Sequence, residues 1–290
     1  MNKNKKSGNI VSKIIIYIAL IILAISIIVP VAWVFMASFK RNSEFIGAGT
    51  NPWALPKEWF VQNYQVAFQD AHMGEYLFNT ILVTALALLL ILVIALPASY
   101  VLSRFKFKGS KVLNIIFMAG LFINVNYIVV PIFLMLSDWD SALGFQFFLD
   151  NRLILALIYA SCHLPFTIYL LSSYFKTLPK GFEEAAYIDG CGYFKTMVKI
   201  MIPMAKPSII TVLLFNFLTF WNEYIIAYTL MDEHGTLAMG LKNLMAVEKT
   251  ATNYGIMYAG LVIVMLPVLI FYICVQKKLT EGMTLGGLKG

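Results

Sequence analysis

A chain of 290 residues that is 60% hydrophobic and only 13% charged does not fit a soluble domain, in which about a quarter of residues are charged. Its net charge of +7 would suit a nucleic-acid binder, but the uneven distribution of that charge along the chain gives it another meaning. The three cysteines (Cys162, Cys191, Cys274) and three histidines (His72, His163, His234) lack the spacing of a disulfide framework or a metal centre.

About 20 helical residues cross a bilayer core. Six apolar runs reach that length: Ile14 to Phe39, Tyr76 to Ser103, Val112 to Ser137, Leu153 to Phe175, Pro207 to Met231 and Thr250 to Gln276, with Glu223 their only formal charge. Each run is apolar around its circumference and lacks the alternation of a membrane barrel. The predicted fold class is therefore an all-α membrane protein with six transmembrane helices. The first run follows a basic lead-in (Lys3, Lys5, Lys6, Lys13), but it is too long for a signal-peptide core, and Phe35-Met36-Ala37 makes a poor cleavage site. It reads as a retained span after a tail of residues 1–13.

Six crossings put both ends on one face, together with the loops after spans two and four. Those four segments hold sixteen of the 22 Lys and Arg and four of the fifteen acids. The positive-inside rule places both termini in the cytoplasm. The net charge is then a topology signature, and nucleic acid is not an expected partner.

Along the chain, the outer loop from Lys40 to Glu75 carries Trp53 and Trp59 among prolines, the pattern of an anchored interfacial connector. Prolines 30, 97, 131, 165 and 267 interrupt five spans and can kink them. Glu223, with Asn222, suits a gate or structural hydrogen bond near the outer end of span five. His163 beside Pro165 suits a neutral partner for a freed carbonyl. Asn124, Asn126, Tyr127, Asn216, Thr219, Trp221 and Asn222 are candidates for a polar path, although such residues also join helices.

The loop 176–206 is far longer than a connector requires. Phe182 to Asp189 predicts a short helix ended by Gly190. A second helix is expected to bury Phe194, Met197, Val198 and Met201 at i, i+3, i+4 and i+7, stopping at Pro203. Two helices at a glycine elbow, with the small residues Ala185, Ala186 and Gly190, predict a docking element for a cytoplasmic partner. Glu184 either accepts bonds from that partner or caps its own helix; Asp189 either does the same or ties up the Gly190 turn.

At this point a family pattern is recognisable. Glu184-Ala185-Ala186, three residues, Gly190, nine residues, Ile200, one residue and Ile202-Pro203 resemble the EAA loop of bacterial ABC importer permeases. Ile202 stands where the family prefers leucine, and Cys191-Gly192 replace its usual Ala-Ser. Asn79-Thr80, Leu96-Pro97-Ala98-Ser99-Tyr100, Trp221-Asn222-Glu223-Tyr224, Thr236 to Leu241 and the tail Glu281 to Gly290 resemble the second inner-membrane permease subunit of maltose-type carbohydrate importers.

That resemblance implies a type I importer bundle over residues 14–276, working with a second permease subunit, two ATP-binding subunits and an extracellular or periplasmic solute-binding protein. Glu184, Ala185, Ala186, Asp189, Gly190, Ile200 and Pro203 would form the ATPase-coupling segment. Thr284, Gly286 and Gly287, in the tail 277–290, would reach the ATPase pair. The sugar would contact mainly the partner permease. No Gly-x-x-x-x-Gly-Lys-Ser/Thr loop occurs in the chain, so nucleotide chemistry falls to another subunit and no cofactor is expected here. An ion-coupled transporter would show mid-membrane acids or an internal repeat, neither of which is seen. A purely structural subunit leaves the long docking loop unexplained.

Overall fold

The computed structural model describes residues 3–47, 49–247 and 253–287, with side chains placed at 12–47, 49–245 and 253–276. The described residues contain no strand. The helices are α1 (Lys3–Ala37), α2 (Gln62–Gln69), α3 (Met73–Arg104), α4 (Ser110–Gly120), α5 (Val129–Leu143), α6 (Arg152–Thr177), α7 (Gly181–Ile188), α8 (Tyr193–Thr196), α9 (Ile202–Met204), α10 (Lys206–Trp221), α11 (Ile225–Leu230), α12 (Leu237–Val247) and α13 (Tyr254–Gly287). They belong to two compact units, residues 1–73 with 243–265 and residues 74–242 with 266–290.

In the first unit, α1 presents its side chains outward from Ser12 to Pro30 and becomes partly buried from Trp33 to its end. At its end the chain turns over a buried asparagine. The Asn63 amide donates to the carbonyls of Ser38 and Lys40 at 2.9 and 2.8 Å. Lys40, itself buried, donates through Nζ to the Pro52 carbonyl at 2.7 Å. Trp33 donates to the same carbonyl and packs on Trp53 and Tyr258. Gly255 of α13 lies against the Lys40 carbonyl and Asn63, where any Cβ would overlap them.

In the second unit, two clusters form the core. One joins α3, α5, α6, α10 and α11 around Ile91, Tyr159 and Phe220. The other gathers Tyr100, Leu171, Phe175, Met197 and Met201 beneath the α7–α8 segment. Asn79 and Thr80 meet the stretch after Gly235: the Asn79 amide donates to the Gly235 carbonyl, and the Thr80 hydroxyl accepts from the Leu237 N–H at 2.7 Å. Gly240 lies so close to the Tyr76 ring that a side chain there would collide with it.

The expectation of six transmembrane helices is met in part. Among the described residues, four helices are long and apolar enough to cross a bilayer: Ser12–Ala37, α3, α6 and Tyr254–Gln276. A fifth exists if Tyr193–Met204 and Lys206–Trp221, bent by 73°, make one span. The predicted third span is broken between α4 and α5, where residues 121–128 leave the helix around a short 3₁₀ turn at Val125–Tyr127. Pro131 therefore falls in the first turn of α5, where its missing N–H costs nothing, whereas Pro30, Pro97, Pro165 and Pro267 lie inside continuous helices. The predicted fifth span is broken at residues 222–224, between α10 and α11.

An Asn63→Ala substitution leaves two buried carbonyls without their donor. It should cost about 2 kcal/mol, read as a lower thermal unfolding midpoint of the purified protein in detergent; an unchanged midpoint would show that water replaces the amide.

Candidate functional site: the elbow and the broken helices

α7 begins after Pro179 and carries Glu183 and Glu184 in its first turn, where the helix dipole favours negative charge. It ends as a Schellman motif. The Cys191 N–H reaches the Ala186 carbonyl at 2.8 Å, and the Gly190 N–H reaches the Tyr187 carbonyl at 3.0 Å. This closure requires Gly190 at φ +74°, a left-handed value that residues with a Cβ disfavour. Nothing lies within 4 Å of where that Cβ would be, so the demand at Gly190 is conformational and not steric.

The elbow is fastened to α3 by a cluster that the sequence did not reveal. Arg104 Nε donates to Glu183 Oε1 at 3.1 Å, and the Tyr100 hydroxyl donates to the same oxygen at 2.9 Å. Arg104 also caps the Leu178 carbonyl through Nη2 at 3.0 Å. The two charged side chains are only 6% and 14% exposed. Tyr100 packs edge-on to Phe105 and Phe175, and Phe105 in turn meets Tyr193 of α8. Arg104 and Glu183 are separated by 79 residues and counted in the sequence only as cytoplasmic charges. The one hint was Tyr100, inside a stretch that carried the family resemblance.

Around the elbow, Ala186 is buried within the chain, whereas Glu184, Ala185, Asp189 and Gly190 are exposed. The expected apolar stripe on the second helix is corrected. Met197 and Met201 are buried with Thr196, but Phe194 and Val198 point outward. The cause is a π-helical stretch at Met197–Met201, closed by the Ile202 N–H to the Met197 carbonyl, whose wider turn breaks the i, i+3, i+4, i+7 register. Ile200 is partly buried against the same core as Met197 and Met201, and Pro203 lies in the short α9 before the 73° bend. Phe182, Tyr187, Ile188, Tyr193 and Phe194 are left as exposed large apolar side chains, Ile188 at 87%.

The path candidates do not gather at one place. Asn124, Asn126 and Tyr127 lie exposed in the break between α4 and α5, where the Asn124 side chain accepts from the Asn126 N–H at 3.0 Å. Asn216 and Trp221 are buried instead, and the Asn216 amide donates to Thr167 on α6 at 2.9 Å. Asn222 turns back to the Leu218 carbonyl of its own helix and is no partner of Glu223. Glu223 accepts from the Tyr159 hydroxyl at 2.7 Å and from the N–H groups of Ile226 and Ala227, so it restarts the helix after the break. His163 packs edge-on against Phe220. It lines a cavity of about 320 Å³ with Gly120, Cys162, Pro165 and Thr219, beside the α4–α5 break. Of the tail candidates, Thr284, Gly286 and Gly287 continue the α13 backbone, and their side-chain positions lie outside the described residues, as do residues 288–290 entirely.

In the loop before α6, Asp150 orders a second turn. It accepts from the N–H groups of Asp232, Glu233 and His234 and from the His234 ring. Partial burial opposes its charge, yet the His234 backbone and ring bonds outweigh that and hold the carboxyl below the usual range.

Residues 91–284 match the family model of binding-protein-dependent transport system inner membrane components. The chain belongs to that family. It is 33% identical to a diacetylchitobiose uptake system permease of Streptomyces coelicolor, over 92% of this chain and 86% of that one. A trehalose/maltose transport system permease of Thermococcus litoralis is 29% identical over 97% and 98% of the two chains. Among solved structures, a bacterial ABC transporter involved in the import of the acidic polysaccharide alginate superposes with a TM-score of 0.76 at 25% identity, covering 96% of this chain and 98% of that one. The chain is thus a multi-pass permease subunit of an ABC importer, and its family is one of transport proteins.

Removing either Arg104 or Glu183 alone strands a nearly buried charge and should cost about 3–5 kcal/mol. The paired Arg104→Met and Glu183→Leu change should recover most of that loss. A double-mutant cycle on thermal stability checks this, and additive losses would show that the two side chains do not interact.

Proposed function

We propose that this permease forms half of a translocation path for a sugar or oligosaccharide, and that ATP-binding subunits drive it by docking on the α7–α8 elbow. The observation that carries the docking reading is the apolar surface of Phe182, Tyr187, Ile188, Tyr193 and Phe194. In a segment placed outside the lipid by the positive-inside pattern, such a surface marks a protein interface. Ile188, at the tip beside the Gly190 turn, is the knob; Ala185, Glu184, Asp189 and Gly190 form its surroundings. Ala186 contributes from inside by letting α7 settle on the chain's own core. Ile200 and Pro203 set the angle at which the second helix leaves the elbow.

The six crossings remain part of this proposal, with both termini cytoplasmic. α4 and α5 serve as two halves of the third crossing, and α10 with α11 makes the fifth. Non-helical backbone at membrane depth is tolerated where it lines an aqueous cavity or is covered by protein. The exposed amides of Asn124 and Asn126 and the Tyr127 ring then face either the path or the second permease subunit. Asn216 and Trp221 support the bundle and do not reach substrate in this conformation. The tail of Thr284, Gly286 and Gly287 extends toward the ATPase pair, and a solute-binding protein delivers cargo from outside. A carbohydrate substrate is supported by the relatives named for diacetylchitobiose and for trehalose and maltose.

Ile188→Asp should abolish docking while sparing the fold. In proteoliposomes carrying the assembled importer, ATP-driven sugar uptake should fall at least roughly tenfold, and the ATPase should no longer co-purify. Wild-type uptake that persisted with an inactive ATPase would instead favour ion coupling, and undiminished uptake by the variant would remove the docking role.

A further inference from the structure

The turn between α3 and α4 and the start of α7 border an open groove of about 820 Å³, lined by residues 102–112 with Lys180 and Glu183. Four of the lining side chains are lysines: Lys106, Lys108, Lys111 and Lys180. Among the described residues none of these amines has a carboxylate partner, because the groove's one acid, Glu183, is already bonded to Arg104 and Tyr100. Like charges gathered in one concavity repel one another and attract an anion. The groove opens where α3 ends, and α4 leaves it with Val112, Ile115 and Ile116 exposed at 59%, 65% and 58%. Cations at a helix end, continuous with an apolar face, match a phosphate headgroup joined to acyl chains.

We propose that this groove binds the headgroup of an anionic phospholipid of the cytoplasmic leaflet, with its acyl chains along α4. The proposal rests on the topology given above, because that leaflet carries the anionic surface that basic pockets recognise. A lipid seated there lies against Glu183 and Lys180, at the base of the elbow, so its occupancy steadies the segment that the ATPase moves. A free phosphate would satisfy the amines but leave the α4 face uncovered, and an acidic protein surface would not extend into the lipid.

The test uses the purified full-length chain in detergent, with cardiolipin as probe and phosphatidylethanolamine as control, followed by native mass spectrometry. Wild type should retain cardiolipin in preference to phosphatidylethanolamine. The triple variant Lys106→Gln, Lys108→Gln, Lys111→Gln should lose roughly a hundredfold in affinity, about fivefold per lysine, while the corresponding arginine variant retains binding. Lys108→Gln alone reads the same contrast with the least change to the protein. Equal cardiolipin binding by the triple variant, equal binding of the two lipids by wild type, or complete displacement of cardiolipin by inorganic phosphate would overturn the proposal. Loss of ATPase co-purification with lipid binding intact would overturn it too, assigning the lysines to a protein partner. Labelling of Lys108→Cys in intact cells by a membrane-impermeant maleimide would refute the topology itself; protection from that reagent with no cardiolipin preference would refute only the lipid site.

Discussion

One carboxylate oxygen, Glu183 Oε1, receives both the Arg104 guanidinium and the Tyr100 hydroxyl, and this shared acceptor ties the elbow to the end of α3. An ion pair with so little exposure contributes little net stability over an apolar pair of similar size, because desolvation offsets its attraction. Its worth is geometric. The guanidinium also holds the Leu178 carbonyl, so the end of α6, the start of α7 and the end of α3 meet at one planar group. Under the proposed docking, a force applied to α7 reaches the end of α3 through directed hydrogen bonds, where apolar contacts alone would allow sliding.

Backbone in a bilayer core is under a different constraint: every N–H and C=O needs a partner there, and a helix supplies them all internally. The breaks at residues 121–128 and 222–224 give that up, and a polar side chain takes N–H groups at each: Asn124 takes that of Asn126, while Glu223 takes those of Ile226 and Ala227. Glu223 is further held by Tyr159, which explains how a formal charge sits in an apolar run without needing a ligand. Just before the first break, the Gly120 Cα is so close to Pro165 that a Cβ would fall 2.8 Å from its ring carbon. Glycine there lets α4 approach α6, and the chain leaves the helix immediately afterwards.

The fold class was legible because apolar runs of membrane length leave few alternatives, and the elbow was legible because Pro179 and Gly190 punctuate it. Span continuity was not. A hydropathy run records only side-chain transfer, so the interruptions at Asn124 and Asn222 are invisible to it. The second elbow helix was misread for a related reason: a register of 3.6 assumes i→i+4 bonding, and the π turn at Met197–Met201 replaces it, rotating Phe194 and Val198 outward. The Arg104–Glu183 pair joins residues far apart in sequence, and no local pattern announces it. The pairing of Asn79 and Thr80 with the stretch from Gly235 to Leu237 shows the converse: two family-like motifs, quoted separately, prove to be two sides of one contact.

The coupling proposed to run through the clamp is tested most directly by the number of ATP molecules hydrolysed per sugar imported, in proteoliposomes containing the assembled importer. With Arg104→Met and Glu183→Leu combined, which restores packing without the directed bonds, hydrolysis should continue while the ratio of ATP to sugar rises severalfold. An unchanged ratio in that stable variant would contradict the claim that the elbow moves the membrane helices through this cluster.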